Sequence, residues 1–426
     1  MRTAKPRIAA VDQANLVLDH TGQVNVFLVA GLLANEGFVG ADGAVDMARL
    51  RTAVGERIAS RPQLSKLSVV VGRGHHWAEA TPDLRHHIRI TEAVDGVEGL
   101  ERLCGELMSA PLPRDRPMWE LLLVPGTGVG RIAVVLRIHH AIADGMAAVA
   151  IVRQLFESEA ESRMPAPEPV VTELPRPQQP TTHRNLRRTL GKFAFGLSRM
   201  RMTLSGREVA ETVLLGERSP RRGVAFLTAD LAALETRARS LGATVNDALL
   251  AAVAAGYRAA LPAAHEELPA WLPVSVPVAL QRHGTSGNQV GVMLVPLPLG
   301  EPQPDERLRL IAKQTQAEKV RAREQGTLEF MRGPLGARIM DRVAHRQHLV
   351  AGFVTNVPGP GETLRLAGAR IVAIWPVAVL AANVRLGVAA VSYSGRLYLG
   401  IHFDAANVPG AEFTQAVTDE LRRLGA

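Results

Sequence analysis

The chain has 426 residues, of which 47% are hydrophobic, 21% charged and one is cysteine. This globular balance suits two or three domains of roughly 150 residues and excludes a disordered chain or an internal disulfide framework. The formal charge of +8 is concentrated in residues 184–207, which hold seven Lys or Arg and no acid, so a uniformly basic, nucleic-acid-binding surface is excluded.

In chain order, no secretory signal is expected at the N-terminus, because Asp12 and Gln13 interrupt its apolar residues. VNVFLVAGLL (24–33) has strand character, DMARLRTAVGERIASR (46–61) has helical spacing and KLSVVVG (66–72) is again a strand. His75, His76, His86 and His87 suggest either a metal cluster or a solvated strand–turn region, and the second fits better. Cys104 lies in a helix-like run, ERLCGELM. ELLLVPGTGVGRIAVVLRI (120–138) is two apolar runs around a Pro/Gly turn, which predicts a β-hairpin. GTGVG there is no dinucleotide fingerprint, since no helix follows it. A helix, GMAAVAIVRQLFES, comes next, then a proline-rich linker to Pro180.

The basic segment 184–207 is predicted to be amphipathic, with Leu186, Leu190, Phe193 and Leu197 at helical spacing. It reads as a solvated crossover helix or as a contact for an anionic membrane or lipid-droplet surface. A second mixed half begins near Arg222. GVAFLTAD is a strand, and ADLAALETRARSLG and TVNDALLAAVAAGYRAAL are helices, the latter capped by Thr244 or Asn246. LPVSVPVAL, VGVMLVPLPL and FVTNVPGP follow as strands and turns, with TNVPGP most simply a loop. RLGVAAVSYSGRLYLGIHFD is a hairpin turning at Ser394-Gly395, and AEFTQAVTDELRRLG is a closing helix. IVAIWPVAVLAANV (371–384) is too short to span a bilayer and contains Pro376. The expected protein is cytoplasmic, soluble or at most peripheral to a membrane.

The stretch with chemical content is RIAVVLRIHHAIADG (131–145). A strand ending at His139-His140 points the two side chains to opposite faces, so one of them faces a given cleft. A neutral imidazole can take a proton from a hydroxyl near neutral pH. If the acceptor attacks a thioester directly, no protein nucleophile is required, and the chain has no G-x-S-x-G elbow. Asp144 suits a helix start or a brace for the turn, and Gly145 gives backbone freedom. A metal site on His140 and Asp144 lacks a third ligand.

HHAIADG fits the HHxxxDG motif of the CoA-dependent acyltransferase superfamily. PLPRDRPMWE (111–120), TVNDALLA, TNVPGP followed by LRLAGARI, and VSYSGRLYLGIHFD followed by VPGAEF occur in the order found in one of its branches. The chain thereby resembles the bacterial wax ester synthase/diacylglycerol acyltransferase family over nearly its whole length.

The resemblance implies a mixed α/β fold of two chloramphenicol-acetyltransferase-like domains forming a pseudo-dimer around a channel. The corresponding division is 1–160, a crossover at 161–221, and 222–426. It implies acyl transfer from acyl-CoA to a fatty alcohol or diacylglycerol hydroxyl, with no cofactor and no metal. His140 would be the general base, His139 supportive and Asp144 a structural brace. Asn246 and Asp247 would shape the site as well as cap a helix. Arg116 and Trp119 would line the channel or simply lead into a strand. Asn356, Pro358, Gly359 and Pro360 would border the channel on the CoA side. Two departures stand out: Pro277 where the family often has Arg, and VNVFLV where it commonly has an M-H-V-G-like stretch. They keep open a specialised-metabolite acceptor, with an acyl carrier protein as donor; a catalytically silent acyl-CoA- or lipid-binding protein is a separate alternative, against which the intact His140 and Asp144 argue.

Overall fold

The computed structural model describes residues 8, 15–17, 19, 23–59, 62–71, 74–143, 145–158, 209–280, 289–325 and 345–426. Asp144, the proline-rich linker and the basic segment up to Arg207 lie outside the described residues. In chain order the strands are β1 (Val26–Leu33), β2 (Lys66–Val71), β3 (Gly74–Glu79), β4 (Ile88–Ile90), β5 (Trp119–Pro125), β6 (Ile132–His139), β7 (Glu157–Ser158) and β8 (Arg222–Asp230). They continue with β9 (Leu272–Leu280), β10 (Gln289–Leu297), β11 (Gly352–Pro358), β12 (Leu364–Leu366), β13 (Ala369–Val377), β14 (Leu386–Tyr393) and β15 (Arg396–Asp404). The helices are α1 (Met47–Ala59), α2 (Leu84–His87), α3 (Gly96–Ser109), α4 (Gly145–Leu155), α5 (Leu231–Ser240), α6 (Val245–Ala263), α7 (Pro304–Gln325) and α8 (Gly410–Gly425).

One sheet runs β4-β5-β6-β1-β13-β12-β7, a second runs β10-β9-β11-β14-β15-β8, and β2 pairs with β3. The largely apolar runs of β5 and β6 make strands covered on both faces, and every residue of β6 is buried. They form the expected hairpin, antiparallel from Trp119↔Ile138 to Pro125↔Ile132, and Gly126 and Gly130 supply positive φ in its turn. Arg137 is the one charge within β6. It donates to Glu120 and to the Leu107 and Ala110 carbonyls, which satisfies the end of α3 and ties that helix to the histidine strand.

Four features depart from the sequence expectations. IVAIWPV forms β13, which leaves the second half of the chain to pair with β1, Leu28↔Val377 through Leu33↔Ile371. TNVPGP is not all loop: β11 continues to Pro358, parallel to β14, with the proline at the end of the ladder rather than its middle. The 22-residue helix α7 was not marked by the sequence pattern. His87 is also buried rather than solvated, stacked on Trp119 at 4.5 Å.

The sheets pack face to face through aromatic rings. Phe226 of β8 stacks on Trp375 of β13 at 4.9 Å, and Tyr398 meets Trp375 edge-on at 5.8 Å. Behind the second sheet, α6 and α8 pack together, with Tyr257 against Phe413.

Candidate active site

His139 ends β6, opposite Val26 of β1, and is 0% exposed. His140 already belongs to the turn and is half-buried. One histidine is thus sealed in the protein and the other is partly exposed, lying just beyond the strand. Gly145 opens α4.

The His140 backbone is gripped on both sides. Its N–H donates to the Asn25 carbonyl at 2.8 Å, and its carbonyl accepts from Asn15 Nδ2 at 3.4 Å. Its ring stands edge-on to Phe27, 5.8 Å between centroids. The Ala141 N–H donates to His139 Nδ1 at 3.0 Å. His139 Nε2 faces Asp19 Oδ2 at 3.3 Å; the alignment falls short of a good hydrogen bond, so this is a contact between an imidazole edge and a carboxylate. Asp19 also accepts from the Asn25 N–H at 2.9 Å and from Arg114 Nη2 at 2.9 Å. Burial pushes its carboxyl up, but His139, the Asn25 N–H and Arg114 outweigh burial and hold it below the ordinary carboxylate value.

Asp19, Asn25 and Arg114 escaped sequence reasoning. Arg114 lies within PLPRDRPMWE, two residues before the arginine that was singled out. Arg116 is spent at the surface on neighbouring Asp115 at 2.8 Å. Trp119 is buried, donating to the Leu64 carbonyl at 2.9 Å, and with Glu120 it braces β6.

Asn246 and Asp247 divide. Thr244 is the cap of α6 in a box with Asp247, and Asp247 Oδ1 accepts from Thr315 of α7 at 2.6 Å. Asn246 instead lines a cavity of roughly 370 Å³ with Pro277, Met293, Lys319, Asn356, Pro358, Ser392 and Leu397 among its other walls. The histidines are not among its lining residues. Gly359 donates its N–H to Ser392 Oγ at 3.2 Å, and Pro360 is buried behind it. Among the described residues, no three His, Cys, Asp or Glu side chains gather as a metal site, and no helix is long and apolar enough to cross a membrane.

A profile of the wax ester synthase/diacylglycerol acyltransferase catalytic domain matches residues 9–249, and the C-terminal domain of the same family matches 286–425. A Mycobacterium tuberculosis relative assigned as a diacylglycerol O-acyltransferase is 31% identical over 366 residues, 78% of each chain. The O-acyltransferase WSD of Acinetobacter baylyi is 25% identical over 77% of this chain and 78% of its own. In fold, the chain is similar to the wax ester synthase/diacylglycerol acyltransferase of Marinobacter aquaeolei VT8, with a TM-score of 0.72, 21% identity and 98% of both chains covered. It is also similar to the first condensation domain of the CDA synthetase, with a TM-score of 0.61, 17% identity and 100% and 96% coverage. With both domain profiles matched in order across two mixed sheets, the chain belongs to the wax ester synthase/diacylglycerol acyltransferase family, and it is an acyltransferase.

Proposed function

We propose that the protein makes an ester by moving an acyl group from acyl-CoA to a hydroxyl acceptor, a fatty alcohol or a diacylglycerol, with His140 as general base. The observation that carries this reading is the half-buried His140 held by its backbone at the end of a fully buried strand. His140 takes the hydroxyl proton as the oxygen attacks the thioester carbonyl. The tetrahedral intermediate then expels the CoA thiolate, which takes the proton back from His140. Cys104 does not carry the acyl group, because it is fully buried and burial pushes its thiol well up.

The 370 Å³ cavity suits the donor arm. It offers the amides of Asn246 and Asn356 and the cation of Lys319 in a largely apolar wall. Ser392 and Leu397 stand five residues along β14 and β15 from the Gly387↔His402 pair, roughly 17 Å at strand spacing. His402 meets the Ala378 carbonyl at 2.8 Å, just past the end of β13 and near the level where β6 ends. The 13 bonds from sulfur to phosphorus in a phosphopantetheine arm span about 15 Å at the reach of an extended chain. The basic segment 184–207 would hold the protein against an anionic lipid surface.

Phe27 favours a second reading. Where the family has an M-H-V-G-like stretch, this chain has Val24-Asn25-Val26-Phe27, so a phenyl ring fills space beside His140. That suits a more specialised acceptor, with the acyl group from CoA or from a carrier protein. Donors of both kinds, an alcohol panel and the His140→Ala variant test the readings together by release of free thiol and formation of ester. His140→Ala should lower the rate by about 10²–10⁴-fold; equal activity would remove His140 as the base. Ester made from carrier-bound acyl groups alone would select the second reading.

A further inference from the structure

Asp19 lies 120 residues before His139 in the chain, outside the short motifs quoted for the family resemblance, yet its buried carboxylate meets the histidine pair by two routes. The first runs through a side chain. Because the Ala141 N–H donates to His139 Nδ1, that nitrogen carries a lone pair. Neutral His139 therefore bears its proton on Nε2, the atom that faces Asp19 Oδ2. The second route runs through the backbone. Asp19 Oδ1 accepts from the Asn25 N–H, and the Asn25 carbonyl accepts from the His140 N–H. Arg114 closes the group from outside. Its Nη2 donates to Asp19 Oδ2, to the Asp19 carbonyl at 2.6 Å and to the Leu16 carbonyl at 3.0 Å.

We propose that Asp19 is the positioning residue of the transfer reaction: held by Arg114, it fixes the tautomer of His139 and the Asn25–His140 hydrogen bond, and so aims the His140 imidazole. Asp19 touches no reacting atom, and His139, fully buried, acts through the turn that it anchors. The proposal rests on His140 being the base. A neutral amide in place of the carboxylate can still accept from the Asn25 N–H, but if its NH2 faces Nε2–H, two donors oppose each other. His139 relieves that clash by moving its proton to Nδ1, where it opposes the Ala141 N–H. Either arrangement loosens the turn.

The test compares Asp19→Asn with the wild type in steady-state acyl transfer and by ¹⁵N NMR of labelled histidine. The expected result is a kcat about 10- to 100-fold lower, a donor KM within about twofold, and loss of the single Nε2–H tautomer at His139. In a His139→Ala background, Asp19→Asn should add little further loss. An unchanged kcat, or an unchanged His139 tautomer, overturns the proposal. If Asp19→Asn does not fold, Arg114→Gln, at a half-exposed side chain, takes its place, with a kcat about 3- to 10-fold lower expected and an unchanged kcat overturning. The tautomer signal does not depend on turnover, so a fully active His140→Ala would end the base assignment while leaving the Asp19–His139 link separately measured.

Discussion

His402 is fully buried on β15, with Nδ1–H donating to the Ala378 carbonyl and Nε2 lacking a partner among the described residues. Burial pushes its pKa down to about 3; Arg222 and Arg218 push the same way, while the Ala378 bond and Asp404 oppose. A base whose folded pKa is depressed binds fewer protons folded than unfolded between about 3 and its ordinary 6.5. Its neutral form thus favours folding above that window, and the contribution falls as pH drops through it, by up to about 1.4 kcal/mol per pH unit. His87, buried against Trp119, is shifted down for the same first reason and adds in the same direction. His402→Gln should flatten the fall in Tm between pH 6.5 and 3 without removing it. Thermal melts across that range check this, and a slope identical to wild type would show that His402 is not the group responsible.

At the scale of elements, α6 is legible in the sequence and α7 is not, and a hydrogen bond between Thr315 and Asp247 joins the two. The T-V-N-D start of α6 announces a cap in local sequence, and Thr244 with Asp247 forms it. Helix α7 presents only a narrow apolar stripe, Leu308 and Ile311, before its buried face continues with Thr315. Buried Arg307 lies beside that stripe, near Glu420 of α8 at 3.6 Å. A polar residue at an inward position hides helical periodicity. Thr315→Val keeps the shape but strands Asp247 Oδ1, and should cost about 1–3 kcal/mol. Thr244→Ala should cost about 1 kcal/mol through the cap alone. Urea denaturation distinguishes them, and a neutral Thr315→Val would mean that Asp247 does not need the brace.

In the whole molecule, the junction between sheets depends on close backbone approach. A Cβ at Gly400 would fall 1.9 Å from the Pro376 carbonyl oxygen, and backbone cannot swing aside as a side chain can. Gly400→Ala should therefore push β15 away from β13 and destabilise the protein by at least about 1–3 kcal/mol. Activity should fall with it, because β13 is paired to β1 and β1 to the histidine strand. Calorimetry with the transfer assay checks both; a variant with wild-type Tm would show that the sheets have slack at this point.

Legible along the chain are the elements whose pattern is local: the largely apolar hairpin that ends in two histidines, the cap of α6, the mixed α/β class and the motif order of the family. Only the tertiary structure decided which histidine is sealed and which is presented, that β12 and β13 complete the first sheet, and that Asp19, Asn25 and Arg114 gather behind the motif. Burial periodicity is written within one element, so it can be read along the chain. Contacts between residues about a hundred positions apart depend on which faces the folded sheets bring together, and no short stretch encodes that choice.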